Sequence, residues 1–178
     1  MKKKSINVVW FKRDLRTKDH RPLYEASQNL LPILPLFIIE PEYWKRSYAS
    51  ARHWHFLRDC LISLNNACLK LGQPLIVKKG EVLPIFEELK AIFKINTIWA
   101  HEETGDDWTY KRDVNLREWC RLNRIKLTEH PNNGVVRGLK NRDNWTKIRN
   151  QRVHSAIIPE PEKIKSVPTK YAIKIPER

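Results

Sequence analysis

Glycine and cysteine are both scarce in this sequence, and their scarcity excludes several classes of protein. Five glycines among 178 residues form no Gly-x-Gly-x-x-Gly and no Gly-x4-Gly-Lys-Ser/Thr loop, so an ordinary dinucleotide-binding Rossmann domain is excluded. The three cysteines, Cys60, Cys68 and Cys120, are odd in number and lack Cys-x-x-Cys spacing. This argues against a disulfide framework or a zinc knuckle. Cys60 and Cys68 lie eight residues apart in a helical pattern, and we expect both to be buried.

Long apolar runs are lacking as well. No stretch approaches the length that crosses a bilayer, and the basic start of the chain leads into a strand-like segment rather than a signal peptide. We therefore expect a cytoplasmic protein with no membrane partner. The six histidines are scattered, and no Ser-His-Asp or Cys-His spacing is legible. The sequence thus predicts no metal site and no catalytic residue.

Basic residues, by contrast, are in excess. Thirty-four Lys and Arg against twenty Asp and Glu give a formal net charge of +14. Such a surface attracts polyanions, above all nucleic acid, although a solvated basic face without a specific partner has the same composition. The 41% of hydrophobic residues is typical of a globular domain with a real core.

Short β-type runs alternate with helical patterns along the first 130 residues. The predicted strands are residues 6–11, 33–39, 75–77, 96–100 and 125–128, and the predicted helices are residues 19–29, 50–71, 84–93 and 109–123. The first four strands are nearly continuous and apolar, as strands covered on both faces are. Strand alternating with helix implies right-handed crossovers and parallel strands. The predicted fold is α/β, a doubly wound five-stranded parallel sheet with helices on both faces.

The pattern changes after His130. Residues 131–178 contain five prolines and many Lys and Arg, with a short helix predicted near residues 143–152. We expect residues 1–130 to form the domain and residues 131–178 to be a basic connector toward another domain. We also expect this connector to be mobile, with the first proteolytic cut between residues 150 and 170.

The most distinctive motif is the run Trp-Phe-Lys-Arg-Asp-Leu-Arg at residues 10–16, where a buried strand ends in a dense charge cluster. On its own, this cluster fits a structural ion-pair network at least as well as a binding site. Together with residues 33–41, 71–80 and 98–103, and with Arg112-Asp113, it resembles the DNA photolyase/cryptochrome family in order and spacing over residues 6–130. The sequence departs from the family in two places: at residues 101–108, where the family often has Asn at the position of His101 and an aromatic soon after the paired acids, and at residues 133–143, after the fifth strand.

The resemblance implies a division of labour between two domains. In that family a helical C-terminal domain holds FAD and the lesion-binding cavity, and light drives electron transfer to a pyrimidine dimer. The N-terminal domain often holds a second pigment, which is a folate, a deazaflavin or a flavin. This chain resembles the N-terminal domain, so we expect a helical FAD-binding domain as its partner. We expect no dimer repair by the isolated chain, and weak, non-specific DNA binding through Lys and Arg.

The position of a second pigment can be predicted from the fold. Ligands of doubly wound sheets bind at the carboxyl ends of the strands, and seven residues stand there. A carboxylate among them accepts hydrogen bonds from a pigment ring, and basic groups hold an acidic tail. The alternative is that the two glutamates pair with Arg13 or Arg112 on the surface. The predicted pigment-binding residues are Phe11, Lys12, Arg13, Glu40, His101, Glu102 and Glu103.

Three functions therefore compete at this point. The chain is the light-harvesting domain of a repair photolyase, the same domain of a blue-light-sensing cryptochrome, or a stand-alone nucleotide-binding α/β module. The residues of the partner domain distinguish a photolyase from a cryptochrome. A bound pigment distinguishes both of these from a stand-alone module.

Overall fold

A computed structural model describes residues 3–168 and contains one five-stranded sheet. All the neighbouring strands are parallel, in the order β3-β2-β1-β4-β5. The predicted doubly wound α/β fold is confirmed, with the change in winding direction between β1 and its neighbours β2 and β4. The strands are β1 (Ser5–Phe11), β2 (Ile33–Ile39), β3 (Ile76–Lys79), β4 (Lys94–His101) and β5 (Lys126–His130).

Six helices connect and follow these strands in the described part of the chain. Four of them correspond to predicted helices, and α6 corresponds to the short helix predicted in the connector. The four-residue α2 has no periodic pattern of its own and was not predicted. None of the described helices is long and apolar enough to span a membrane. The helices are α1 (Arg21–Ser27), α2 (Pro41–Trp44), α3 (Ala51–Lys70), α4 (Val82–Ile92), α5 (Asp107–Leu122) and α6 (Trp145–Val153).

Local sequence signals set the ends of α3, the longest helix. The Ser50 hydroxyl accepts a hydrogen bond from the backbone N–H of His53 at 3.4 Å, which satisfies one of the unpaired donors of the first turn. Gly72 follows the helix with φ +103°, a conformation that side chains other than glycine rarely adopt. Both boundaries match the prediction from sequence.

The hydrophobic core has two layers, one on each face of the sheet. Side chains alternate along β1, so Val8 and Trp10 contact the layer beneath α4 and α5, whereas Val9 and Phe11 contact the layer beneath α1 and α3. All residues of β1 after the first are buried, which explains why their sequence is apolar except at Asn7.

The cysteines divide between this core and the surface of the domain. Cys68 and Cys120 are buried, and burial raises the pKa of each thiol to about 12. Cys60 is only half-buried, so the expectation that it is a core residue is wrong. It lies on the part of α3 that extends past the core toward the carboxyl edge of the sheet.

Residues 156–168, here called the docked segment, contradict the prediction of a mobile connector. Ile164 and Val167 are only 2% and 3% exposed and belong to the two core layers. The backbone N–H of Ile164 donates to the carbonyl of Leu71 at 2.9 Å, and that of Val167 donates to Oε1 of Gln73 at 2.6 Å. Sequence patterning missed this because two isolated apolar residues among prolines and lysines carry no period. Residues 169–178 of the predicted connector lie outside the described residues.

Candidate functional site

A cavity of about 430 Å³ opens at the carboxyl ends of β1 and β2, beneath the first half of α3. We call it the first cavity. Most of its wall is aromatic or aliphatic, and its polar side chains are concentrated where β1, β2 and α5 meet. Its lining includes Trp10, Phe11, Leu15, Phe37, Ile38, Trp44, Phe56 and Leu57, with Lys12, Arg13, Arg16, Glu40, Glu103 and Arg112 among the charged residues.

Arg112 organises the charged wall of this cavity. Its guanidinium bonds Oε2 of Glu40 at 2.6 Å, Oε2 of Glu103 at 2.9 Å and Oδ1 of Asp113 at 2.9 Å. Nζ of Lys12 reaches the other oxygen of Asp113 at 2.6 Å. We call these five residues the Arg112 cluster. Two cations against three carboxylates leave the cluster one negative charge in excess when all five groups are ionised.

Glu40 is the carboxylate of the cluster whose negative charge is least favourable in this buried site. It is 7% exposed, and its Oε1 has no hydrogen-bond partner among the described residues. Burial raises the pKa of Glu40 to about 7 even though Arg112 opposes the shift. A buried carboxyl oxygen without a partner is costly, and this one belongs to a residue that lines the cavity.

Glu103 differs from Glu40 because all of its bonding capacity at Oε1 is used. Oε1 accepts from the backbone N–H groups of Thr104 and Gly105 at 2.9 and 2.8 Å. The turn needs a glycine for close approach, since a Cβ at position 105 lies 2.9 Å from Oε1 of Glu103 and 2.7 Å from Oγ1 of Thr109. Glu103 therefore fixes the loop after β4 and leaves Glu40 as the unsatisfied acceptor.

Aromatic residues of α2 and its following turn form one side of the cavity. The rings of Tyr43 and Trp44 are 5.4 Å apart, and Tyr43 is 6.3 Å from Trp108 at the start of α5. The Tyr48 hydroxyl donates to Asp106, whose side chain caps α5 at the backbone N–H of Thr109. These contacts tie the segment after β2 to the segment after β4, so both sides of the cavity are held in place.

A second polar network lies behind the first turn and is fully buried. Asp14 accepts from His20 Nε2 at 2.8 Å, from His101 Nδ1 at 2.5 Å and from the backbone N–H of Lys12 at 2.7 Å. Burial raises the pKa of Asp14, but the hydrogen bonds of the two histidines outweigh burial and hold the pKa well below its usual value. Asp14 is therefore an anion that both histidines face.

The ligand atoms of Asp14, His20 and His101 lie within 4.8 Å of one another, which is close enough for a metal ion. The hydrogen bonding of His20 opposes that use. Its Nδ1 accepts from the backbone N–H of Leu23 at 3.1 Å at the start of α1, so the proton of the neutral ring is on Nε2 and points at Asp14. A metal at Nε2 needs the other tautomer and breaks this cap. The expectation of no metal site stays a prediction.

Comparisons with known proteins agree with this geometry. The family model for DNA photolyase matches residues 7–166, nearly the whole chain. The chain belongs to the DNA photolyase family. It is 28% identical over 153 residues to the cryptochrome DASH, chloroplastic/mitochondrial, of Solanum lycopersicum, covering 83% of this chain and 26% of that protein.

Solved structures of the photolyase and cryptochrome group have the same fold. The cryptochrome of Synechocystis sp. PCC6803 superimposes with a TM-score of 0.81 at 20% identity, covering 99% of this chain and 40% of that one. The archaeal photolyase from Sulfolobus tokodaii gives a TM-score of 0.69 at 24% identity, covering 90% and 37%. The chain thus spans about a quarter of the tomato protein and about two fifths of these structures.

Five of the seven residues predicted for this photolyase-family domain line the first cavity: Phe11, Lys12, Arg13, Glu40 and Glu103. The other two do not. His101 turns toward Asp14 on the far side of the first turn, and Glu102, whose backbone N–H bonds the carbonyl of His130, is not among the cavity residues. His101 is the last residue of β4 and the chain leaves the strand after it, so His101, Glu102 and Glu103 do not all face one pocket.

Sequence reasoning missed Arg112 and one face of α3 as parts of the cavity. Arg112 entered the prediction only within a family block and as an alternative surface partner of the glutamates. Its carboxylate partners in the structure are the adjacent Asp113, the nearby Glu103 and the distant Glu40. The residues of α3 are spaced by three and four along the helix, adjacent to the stripe that packs on the core. The signal in the sequence was that the apolar stripe of α3 is wider than contact with the core requires, which indicates a second apolar surface. The missed α3 residues are His53, Phe56, Leu57 and Cys60.

Proposed function

We propose that this chain is the light-harvesting domain of a photolyase-like protein and that the first cavity binds an aromatic second pigment. One observation carries the proposal: Glu40, whose Oε1 has no partner among the described residues, lines a cavity with mainly aromatic and aliphatic walls. A volume of about 430 Å³ is within the range of pockets that bind small organic ligands.

The residues of the cavity fit the chemistry of such a pigment. Pterin and flavin rings are flat, aromatic and carry a ring N–H, which Glu40 accepts at Oε1. Trp10, Phe11 and Trp44 supply surfaces for stacking. Arg13 and Arg16 at the rim are suited to a phosphate or carboxylate tail. The pigment supplies absorption of light at longer wavelengths than tryptophan, and the protein's part is to hold and orient the ring.

The pigment proposed here is a folate, a deazaflavin or a flavin, the three classes that the family resemblance implies. The Sulfolobus tokodaii photolyase was solved with two FAD molecules and with the implication of a novel light-harvesting cofactor. That precedent, in a protein with the same fold, supports a flavin here.

Titration separates a pigment site from a stand-alone module. Methenyl-tetrahydrofolate, a deazaflavin and FMN are added in turn to the wild-type chain, and pigment and tryptophan fluorescence are followed. We expect one of them to bind, and we expect Cys60→Trp to abolish binding because the larger ring occupies the cavity. Leu69→Trp, on the exposed side of α3, is the matched control. Failure of all three pigments, or equal loss in both variants, contradicts the proposal.

For the full-length protein we propose a helical FAD-binding domain and light-dependent repair of pyrimidine dimers. The alternative is a blue-light-sensing cryptochrome, and the similarity of this chain to a cryptochrome DASH supports that alternative. Illumination of the full-length protein with dimer-containing DNA decides between them, since only a photolyase restores the bases. The isolated chain with added reduced FAD is expected to show no repair in the same assay.

We also propose weak, sequence-independent DNA binding by the basic segment 137–152. This segment contains six Lys and Arg and one Asp, and most of its residues are exposed. The logarithm of the binding constant is expected to fall with the logarithm of salt concentration by about 0.9 for each phosphate neutralised. An affinity that does not change with salt rules out this electrostatic contact.

A further inference from the structure

A second cavity, of about 490 Å³, lies between the carboxyl ends of β4 and β5 and the chain that returns over them. It shares only Arg16 with the first cavity. Its character is different, because its walls are mainly polar and three arginines stand around it. Its principal residues are Arg16, Arg21, His101, His130, Asn132 and Arg152.

The guanidinium groups of this cavity are incompletely neutralised. Arg152 donates from one nitrogen to the backbone carbonyls of Asn133 and Val135, at 3.4 and 2.5 Å. No carboxylate within the described residues 3–168 forms an ion pair with it. Arg16 donates to Oδ1 of Asn132 at 2.9 Å and to the backbone carbonyl of Asp19 at 3.1 Å. Its only ion-pair partner among residues 3–168 is the carboxylate of Asp19, which is 3.9 Å away and also lines the cavity. Fixed arginines with unused donors are suited to a phosphoryl group.

His101 adds a second kind of group. It is 3% exposed, and its Nδ1 is occupied by Asp14. Burial lowers the pKa of His101, although the hydrogen bond to Asp14 opposes the shift, so the ring is neutral at pH 7. Because Asp14 is an anion, the proton of His101 is on Nδ1, and Nε2 is left as a hydrogen-bond acceptor. The cavity therefore offers donors for an anion and an acceptor for a neutral hydroxyl.

We infer that the second cavity binds a small phosphate monoester of a sugar or nucleoside, with its phosphoryl group on Arg16 and Arg152 and a hydroxyl group donating to His101 Nε2. A phosphate monoester with a free hydroxyl group can use both the arginines and His101 Nε2, and few other small ligands can. Inorganic phosphate satisfies the arginines alone, and a nucleoside satisfies the histidine alone. The site shares Arg16 with the pigment cavity, but its contacts with Arg152 and His101 lie outside that cavity and do not depend on pigment binding.

The test uses isothermal titration of the chain with AMP, ribose 5-phosphate, inorganic phosphate and adenosine, at about 50 mM salt to limit screening. AMP and ribose 5-phosphate are expected to bind, each at least about tenfold more tightly than inorganic phosphate or adenosine, because two hydrogen-bonding groups act together. Tighter binding of AMP than of ribose 5-phosphate identifies a nucleotide as the ligand, and equal binding identifies a sugar phosphate. Inorganic phosphate binding as tightly as ribose 5-phosphate overturns the contact with His101.

Two substitutions on α6 locate the site. Arg152→Ala is expected to weaken AMP binding about tenfold, the usual effect of losing a charge-assisted hydrogen bond. Arg149→Ala removes the same charge one turn earlier from a residue outside the cavity, and is expected to weaken binding less than about twofold through screened charge alone. Circular dichroism verifies that both variants fold.

Three results overturn the inference. The first is that neither AMP nor ribose 5-phosphate binds at ligand concentrations up to about 10 mM, beyond which binding is too weak to be specific. The second is an equal effect of the two arginine substitutions. The third is that single-stranded DNA binds, AMP does not compete with it, and both substitutions weaken it equally, which assigns these arginines to a nucleic-acid surface.

Discussion

Replacing Glu40 with glutamine isolates the cost of holding a carboxyl group in the first cavity. Glutamine has the same shape, and its oxygen can keep the hydrogen bond from Arg112. It has no charge to bury, however, and it presents an N–H₂ donor in place of the unpartnered Oε1. We therefore expect Glu40→Gln to stabilise the fold at alkaline pH while it weakens the binding of a pigment N–H.

The magnitude follows from the pKa of Glu40, which is raised from its ordinary value of 4.5 to about 7. The native protein thus holds a proton that the unfolded chain has lost between these two values. The stability that this proton contributes is complete below pH 4.5 and is lost as the pH rises through 7. One pKa unit corresponds to about 1.36 kcal/mol, so the loss between pH 5 and 8 is about 2 to 3 kcal/mol.

Urea unfolding of wild type and Glu40→Gln at pH 5 and pH 8 measures this loss. Other titrating groups are common to both proteins, so the difference between their free energies of unfolding reports Glu40. We expect that difference to shift in favour of Glu40→Gln by about 2 to 3 kcal/mol from pH 5 to pH 8.

Glu103→Gln is the matched control within the Arg112 cluster. Its carboxylate is satisfied by Thr104, Gly105 and Arg112, and its loss is expected to destabilise the protein at pH 8 by about 1 to 3 kcal/mol. A Glu40→Gln variant that is less stable than wild type at pH 8, or a difference that does not change with pH, refutes this account of the carboxyl group.

Three further predictions concern the docked segment. Ile164→Ala is expected to lower the free energy of unfolding by about 2 to 4 kcal/mol, as for other buried large-to-small changes, and urea unfolding measures it; a change below about 0.5 kcal/mol means that the segment is not packed. Gly72→Ala is expected to cost about 1 to 3 kcal/mol, because φ is +103° and the new Cβ lies 3.3 Å from the carbonyl of Ile164. Trypsin is expected to cut at Lys140 or Arg142 before Lys163, and the reverse order in timed digests contradicts docking.

The fold was predictable because its signals are local and redundant. Each buried strand is a short apolar run, and α3 has both a periodic stripe and recognisable ends at Ser50 and Gly72. Two of these signals rarely fail together. The docked segment was not predictable in this way, because Ile164 and Val167 acquire their role only from grooves formed by residues almost a hundred positions earlier.

The candidate site was only partly predictable for a related reason. The rule that ligands bind at the carboxyl ends of parallel strands identified the edge of the sheet at which the first cavity opens and five of the residues that line it. It does not specify how the chain turns after each strand, and so His101, which ends β4, and Glu103, in the loop that follows, lie in different networks. Arg112 joins carboxylates from β2, β4 and α5, a convergence that no spacing along the chain reveals.

The most direct test of the central proposal is a crystal structure of the chain with the pigment that binds it most tightly. We predict that the ring lies in the first cavity against Phe11 and Trp44, with a ring N–H donating to Oε1 of Glu40. A pigment bound in the second cavity or on the outer surface, with Glu40 left without a partner, contradicts the proposal.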